Sequence, residues 1–292
     1  MSDTKPLSSP ARIKEIAERF GFSFSKSLGQ NFLINPSVCP RIAEMGGANE
    51  NVGALEIGTG FGVLTAELAK RAKKVVAVEI DKSLLPVLDE TLAEFNNIKI
   101  INEDILKVDL PTLLEEEFSG MEVFVCANLP YYITSPILMY IMEQRLPIEA
   151  ITVMVQKEAA LRLCAPMGSR DCSAITFAVR YYAEPKLLFH VSRGSFMPAP
   201  NVDSAVIRLD LKKERPAGVD SVEEENYLFE VVKAAFSQRR KTLPNPLSSG
   251  LHLPKAAVIE AMEGCGIAPT ARAESLSMEQ YIVLSKALKG IR

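Results

Sequence analysis

The chain predicts an α/β fold: a doubly wound, largely parallel sheet with an antiparallel edge, followed by a small all-helical domain. Three observations predict it. Short apolar, β-branched segments alternate with stretches of helical periodicity between residues 54 and 164. A glycine-rich turn at 58–62 joins the first strand of that series to its helix, and beyond residue 212 only helical spacing is left. Strands that alternate with helices bury both faces of a parallel sheet, and the crossovers that connect them are right-handed. At 292 residues the chain has room for one large or two ordinary domains.

Taken in order, Asn35-Pro36 has the form of an N-cap with a first-turn proline, and Gly46-Gly47 closes the helix between them. Residues 54–57 predict a strand and 63–70 a helix, in which Leu64 and Leu68 stand four apart. Residues 74–80 predict the next strand; Asp81 then caps a helix through Leu84, Leu85, Leu88 and Leu92, and 98–101 is again strand. Further strands are expected at 123–127 and 150–155, with helices at 136–144 and 157–164. After Ala183 the pattern changes: 186–191 and 205–211 predict strands around a proline-rich loop at 196–200, with no long crossover helix between them, hence the antiparallel edge. Helices follow at 227–236, 255–262 and 278–288, which places a domain boundary near Lys212 and divides the chain into 1–212 and 213–292.

Composition removes several classes of function. With 48% hydrophobic and 24% charged residues the chain is of average globular make-up, which excludes wholesale disorder and collagen-like structure. Its apolar runs, at 123–127 and 151–155, fall short of the roughly 18 residues that span a bilayer. Residues 1–12 lack the apolar stretch of a secretory signal, so the expectation is a cytoplasmic protein that does not engage membranes. Five cysteines without a C-x-x-C pair, and only two histidines, predict reduced thiols and no metal site. A net charge of -3 gives no global basic footprint, so any nucleic acid must be held by a local patch.

Glu56-Ile57-Gly58-Thr59-Gly60-Phe61-Gly62 lies where a strand turns into a helix, and glycines there allow positive φ and close approach of backbone N–H groups to a ligand. A ligand-free βα turn would use the same residues. The dinucleotide fingerprint requires a glycine where Val63 stands, so the spacing points instead to the methyltransferase form of the loop, which holds S-adenosylmethionine. Glu79, about 20 residues on, ends the second strand where a carboxylate can accept from both ribose hydroxyls of a nucleoside. Asp104, past the third strand, can accept from an adenine amino group or cap a helix.

Asn128-Leu129-Pro130-Tyr131 follows the fourth strand on the same edge. An adenine amine is a poor nucleophile because its lone pair is delocalised into the ring. The Asn128 side-chain carbonyl and the Leu129 backbone carbonyl can take its two hydrogens, Pro130 stiffens the turn, and Tyr131 offers a π face for the base and for developing positive charge. An Asx-turn with a core tyrosine would account for the geometry alone. Phe196, in the loop stiffened by Pro198 and Pro200, can form a stacking wall or plug the core. Lys233 and the run Arg239, Arg240, Lys241 bring cations to a helix end, where they suit either RNA phosphates or the helix dipole.

These segments, together with Lys26-Ser27-Leu28-Gly29-Gln30-Asn31-Phe32-Leu33, Val78-Glu79-Ile80-Asp81, Met154-Val155-Gln156-Lys157-Glu158 and Phe196-Met197-Pro198-Ala199-Pro200-Asn201-Val202-Asp203-Ser204-Ala205-Val206, carry a resemblance over nearly the whole chain. It resembles the ribosomal RNA adenine N6-dimethyltransferases of the KsgA/RsmA type, which modify two adjacent adenosines near the 3′ end of small-subunit RNA. The resemblance implies a Rossmann-like class I methyltransferase sheet and S-adenosyl-L-methionine as cofactor. It implies contact with that cofactor by Asn31, Leu33, Gly58, Glu79, Asp104 and Asn128, joined by their neighbours Gln30, Gly60, Ile80 and Ile105, and a target base held between Tyr131 and Phe196. It implies small-subunit ribosomal RNA in a pre-assembled 30S particle as partner, a monomer, and a role in small-subunit biogenesis. One departure stands out: the family loop more often carries proline where Thr59 stands. Rival readings are the related large-subunit enzyme of macrolide resistance, a non-catalytic assembly or transcription factor that would have lost Glu79 or Asn128, and a small-molecule methyltransferase.

Overall fold

The computed structural model describes residues 6–23, 29–238 and 240–291. In chain order the elements are α1 Pro10–Arg19, β1 Phe32–Leu33, α2 Val38–Met45, β2 Gly53–Ile57, α3 Val63–Ala69, β3 Lys74–Glu79, α4 Leu85–Thr91, β4 Ile98–Asn102, α5 Leu110–Phe118, β5 Val123–Asn128, α6 Thr134–Glu143, β6 Ile148–Gln156, α7 Lys157–Cys164, α8 Ala174–Tyr182, β7 Ala183–Val191, β8 Phe196–Met197, β9 Ser204–Leu211, α9 Val222–Phe236, α10 Pro244–Leu251, α11 Lys255–Gly264 and α12 Met278–Lys289. The main sheet runs β4-β3-β2-β5-β6-β9-β7, parallel from β4 to β6 and antiparallel where β9 pairs with β6. The alternating strands and helices thus form the expected doubly wound sheet with its antiparallel turn-back. Among the described residues no helix is long and apolar enough to cross a membrane.

Central strands are apolar on both faces because both are covered: every residue of β2 is buried, as are five of the six in β3. The covering helices start where short polar side chains satisfy free N–H groups. Asp81 accepts from Ser83 N–H ahead of α4, and Asp109 accepts from Thr112 N–H at α5, caps of about 1 kcal/mol each. The order in which strands are added reverses at β2: its crossover leads to β3 and β4 on one side, whereas β5 lies parallel to it on the other. That switch point opens a crevice at the C-terminal strand ends, the customary ligand position in such sheets.

Several elements differ from expectation. The helix placed after Asn35-Pro36 begins at Val38, because Asn35 Oδ1 accepts from Ser37 N–H (3.1 Å) and Ser37 Oγ (2.9 Å), an Asx turn in place of a cap. The proline-rich loop contributes a short strand: Leu33 pairs with Phe196 and Phe32 with Met197, a two-residue ladder with no periodicity to reveal it. α8 starts at a capping box in which Ser173 and Thr176 exchange backbone and side-chain hydrogen bonds, with Thr where a Glu or Gln would have flagged it. α10 carries Pro244 and Pro246, which resemble helix breakers but lie in the first turn, where a missing N–H costs nothing.

The chain forms two compact units. The first comprises residues up to Ala160 plus Lys186–Leu211, and the second Leu161–Pro185 plus residues from Lys212 onward. Lys212 is one of three crossings, and the segment Leu161–Pro185, assigned by sequence to the first domain, belongs with the second unit. Its helix α8 supplies the reason. Phe177 meets Phe229 and Tyr281 edge-on at 5.8 and 5.2 Å between centroids, and Tyr182 stacks on Phe229 at 5.5 Å. Aromatic pairs of this kind add about 0.5–1.5 kcal/mol each beyond burial, which fixes α8 against α9 and α12.

Candidate active site

A single cleft at the C-terminal strand ends gathers Gln30, Asn31, Leu33, Gly58, Gly60, Glu79, Ile80, Asp104 and Ile105 together with Asn128, Leu129, Pro130 and Tyr131. Residues far apart in sequence meet because β2, β3 and β5 end side by side, with Ile57 paired to Val78 and to Ala127. The loop after β2 owes its course to glycine. Gly58 (φ 77°) and Gly60 (φ 55°) lie in the left-handed region, and a Cβ on Gly60 would stand 3.0 Å from the Phe32 ring, whereas one on Gly58 would project into open space.

Glu79 binds that loop to β3. Its Oε2 accepts from Thr59 N–H (2.9 Å), Thr59 Oγ1 (2.9 Å) and Gly60 N–H (3.3 Å), and its Oε1 accepts from Asp81 N–H (2.8 Å). Gln30 Nε2 donates to Asp81 Oδ2 (2.7 Å), and Asn102 Nδ2 donates to the Glu79 carbonyl (2.7 Å). Asp104 lines the cleft, and its Oδ1 accepts from Leu106 N–H at 3.0 Å, which is the capping role. Ile80 is 54% exposed, an apolar surface left open at the cleft, and Ile105 is buried.

Asn128 Nδ2 donates to the Asn31 carbonyl at 3.3 Å, so its side-chain oxygen is the end left to accept from a ligand. Asn31 is held in turn by its own Nδ2, which donates to Gly29 O. Pro130 O anchors the turn by accepting from Ile133 N–H and Thr134 Oγ1, and Tyr131 is half-buried with its hydroxyl 2.8 Å from Ser204 Oγ. Burial raises the Tyr131 phenol, which therefore stays neutral beside the cleft.

Two further cleft residues were not singled out by sequence reasoning. Glu56 is fully buried; burial first, and the charge of Glu79 second, hold its carboxyl well above the ordinary range. The Thr65 hydroxyl opposes this without reaching hydrogen-bond geometry, and both Glu56 oxygens lack a partner. Cys39 also lines the cleft, and burial pushes its thiol up, so it is no nucleophile. Among the described residues no cluster of three His, Cys, Asp or Glu could hold a metal ion.

Phe196 is not brought to the cleft. It is 3% exposed in a cluster with Leu33, Val38, Met154 and Val206, which corresponds to its core-plug alternative; removing its ring would cost about 3–5 kcal/mol of stability. Of the cations, Lys233 stands in the last turn of α9, and Lys233, Arg240 and Lys241 are exposed. Arg239 lies outside the described residues, as do Lys26, Ser27 and Leu28.

A sheet of this order, with a glycine loop after β2 tied to the carboxylate that ends β3 and an amide at the end of β5, has the form of a class I methyltransferase. Comparison with known proteins narrows the class. The chain belongs to the ribosomal RNA adenine dimethylase family, whose model matches residues 21–289, and it is an rRNA adenine dimethyltransferase. It is 46% identical over 291 residues to ribosomal RNA small subunit methyltransferase A of Geobacillus sp. (strain WCH70), covering 98% of this chain and 99% of that one. It is 49% identical over 288 residues to the protein of that name from Bacillus mycoides (strain KBAB4), covering 97% and 98%. Among solved structures it is similar to the 23S rRNA methyltransferase ErmE, with TM-score 0.66, 29% identity and coverage of 89% of this chain and 100% of that one. A dimethyladenosine transferase from Plasmodium falciparum shares the fold, with TM-score 0.72, 24% identity and coverage of 89% and 98%.

Proposed function

We propose that the chain uses S-adenosyl-L-methionine to dimethylate N6 of two adjacent adenosines in a hairpin near the 3′ end of 16S ribosomal RNA, within a pre-assembled 30S particle. It does so as a cytoplasmic monomer, and its natural setting is small-subunit biogenesis. The observation that carries the chemistry is the turned amide of Asn128, whose nitrogen is engaged by Asn31 and whose oxygen is left to accept. The target is supported by 46–49% identity over nearly full length to small-subunit enzymes, against 29% to the large-subunit enzyme.

The cleft fits the cofactor. Open space beside Gly58 is where a ligand can approach the backbone, and the buried Glu56 carboxyl without a partner suits a cationic or hydrogen-bonding group. Glu79 would hold the ribose, with Asp104, Ile80 and Ile105 around the adenine and Gln30, Asn31, Leu33, Gly58 and Gly60 along the remainder. S-adenosylmethionine supplies an electrophilic methyl group on a sulfonium. The chain's own residues do the rest: the Asn128 and Leu129 carbonyls accept the amine hydrogens, Pro130 keeps them in place, and Tyr131 stacks on the base. The methylated aminium is strongly acidic and loses its proton to water, so transfer rests on positioning and charge stabilisation without a dedicated base. Phe196 supports this arrangement from the core, through its pairing with Leu33.

Incubating the protein with unmethylated small subunits and labelled cofactor, then mapping the modified bases, tests the reading; label in large-subunit RNA, or in none, would overturn it. Lys233, Arg239, Arg240 and Lys241 are proposed to meet RNA phosphates. Replacing these four with glutamine should flatten the dependence of log affinity on log salt by up to about 0.7–0.9 per lost contact. An unchanged slope would return them to the helix-dipole role.

A further inference from the structure

The Glu79 carboxylate is unevenly loaded. Each oxygen offers about two lone pairs; Oε1 accepts only from Asp81 N–H, whereas Oε2 already takes three donors, the Thr59 and Gly60 N–H groups and the Thr59 hydroxyl. A ribose diol that donates one hydroxyl to each oxygen finds room at Oε1 and has to displace a donor at Oε2. The N–H groups are fixed by the loop and by the strand end. The hydroxyl is different, since it turns about one bond and already has a second acceptor, the Gly60 carbonyl at 3.5 Å. Both Thr59 and Glu79 are 5% exposed, so the pair sits where an unsatisfied carboxylate would be costly and water is scarce.

We propose that the Thr59 hydroxyl is a placeholder for a ribose hydroxyl: it satisfies Glu79 in the empty cleft and gives way to the nucleoside when the cofactor binds. This rests on the cofactor reading above. A proline at this position would have neither the hydroxyl nor the N–H, so the device depends on Thr59. Its consequence is a penalty on binding, because each cofactor that enters breaks a charge-assisted hydrogen bond in order to make its own. Thr59 is a positioning residue in this scheme; it acts through Glu79 and not on the reacting atoms.

Calorimetric titration with S-adenosylhomocysteine tests it, using the parent, Thr59→Val, Thr59→Ser and Glu79→Ala, each checked for a native circular dichroism spectrum. Thr59→Val keeps the branched shape and the N–H but loses the hydroxyl, and it should bind about three- to tenfold more tightly than the parent. Thr59→Ser restores the hydroxyl and should bind as the parent does. With the 2′,3′-dideoxy form of the ligand, which displaces nothing, the parent and Thr59→Val should bind equally. Binding by Thr59→Val that is unchanged or weaker overturns the placeholder and leaves the cofactor reading standing, provided Glu79→Ala is impaired. Undiminished binding by Glu79→Ala removes the ribose assignment and the placeholder with it.

Discussion

Asn128→Ala should lower the rate of single-turnover methylation, at saturating cofactor and RNA, by about 10²–10³. The adenine amine becomes nucleophilic only when both hydrogens are taken and its lone pair is released from the ring, and the variant removes one of two acceptors. The change leaves the turn intact, since Pro130 O still receives Ile133 N–H and Thr134 Oγ1 and Tyr131 still reaches Ser204. It also frees the Asn31 carbonyl from Asn128 Nδ2, so some loss of cofactor affinity accompanies the slower step. Saturation separates the two. A rate within a few-fold of the parent would assign Asn128 to binding or to turn geometry and end the proposed activation of the amine.

Glu79→Ala should weaken cofactor binding by about 10- to 150-fold, the range that follows from losing charge-assisted hydrogen bonds of about 1.5–3 kcal/mol. Four donors, three of them in the glycine loop, lose their acceptor at once, so the ribose contact and the order of the loop fall together. Glu79→Gln distinguishes these contributions: it keeps an acceptor for the loop N–H groups but not the charge. Binding by Glu79→Gln should lie between that of the parent and that of Glu79→Ala, and affinity equal to the parent in both variants would refute the assignment.

The sheet was legible in the sequence because burial on both faces writes itself as unbroken apolar runs such as 123–127, and the loop because only glycine accepts the φ values it needs. Glu79, Asp104 and Asn128 followed from one rule, that ligands gather at the C-terminal ends of parallel strands, whereas Gln30, Asn31 and Leu33 came only through the resemblance. Phe196 escaped it. The stiff prolines that follow it, Pro198 and Pro200, suggested a wall facing ligand, whereas the side chain is buried where Phe196 pairs with Leu33, a long-range contact that carries no local signal. The three hydrogen bonds from the loop onto Glu79 were equally invisible, since they depend on how the loop folds back 19 and 20 residues upstream. α8 was missed for want of an acidic N3 residue, and with it the membership of Leu161–Pro185 in the second unit.

That membership decides how the protein can be taken apart. A cut at Lys212 discards α9 and α12 but keeps α8, whose Phe177, Tyr181 and Tyr182 would then present a bare aromatic face where Phe229 and Tyr281 had been. A fragment ending there tends toward self-association, and its failure to bind RNA would say nothing about the cations that were removed. Exchange of C-terminal segments between relatives meets the same obstacle, because the donor helices have to match an α8 they did not evolve beside. Chimeras should therefore carry Leu161–Pro185 along with the tail, as one interrupted graft.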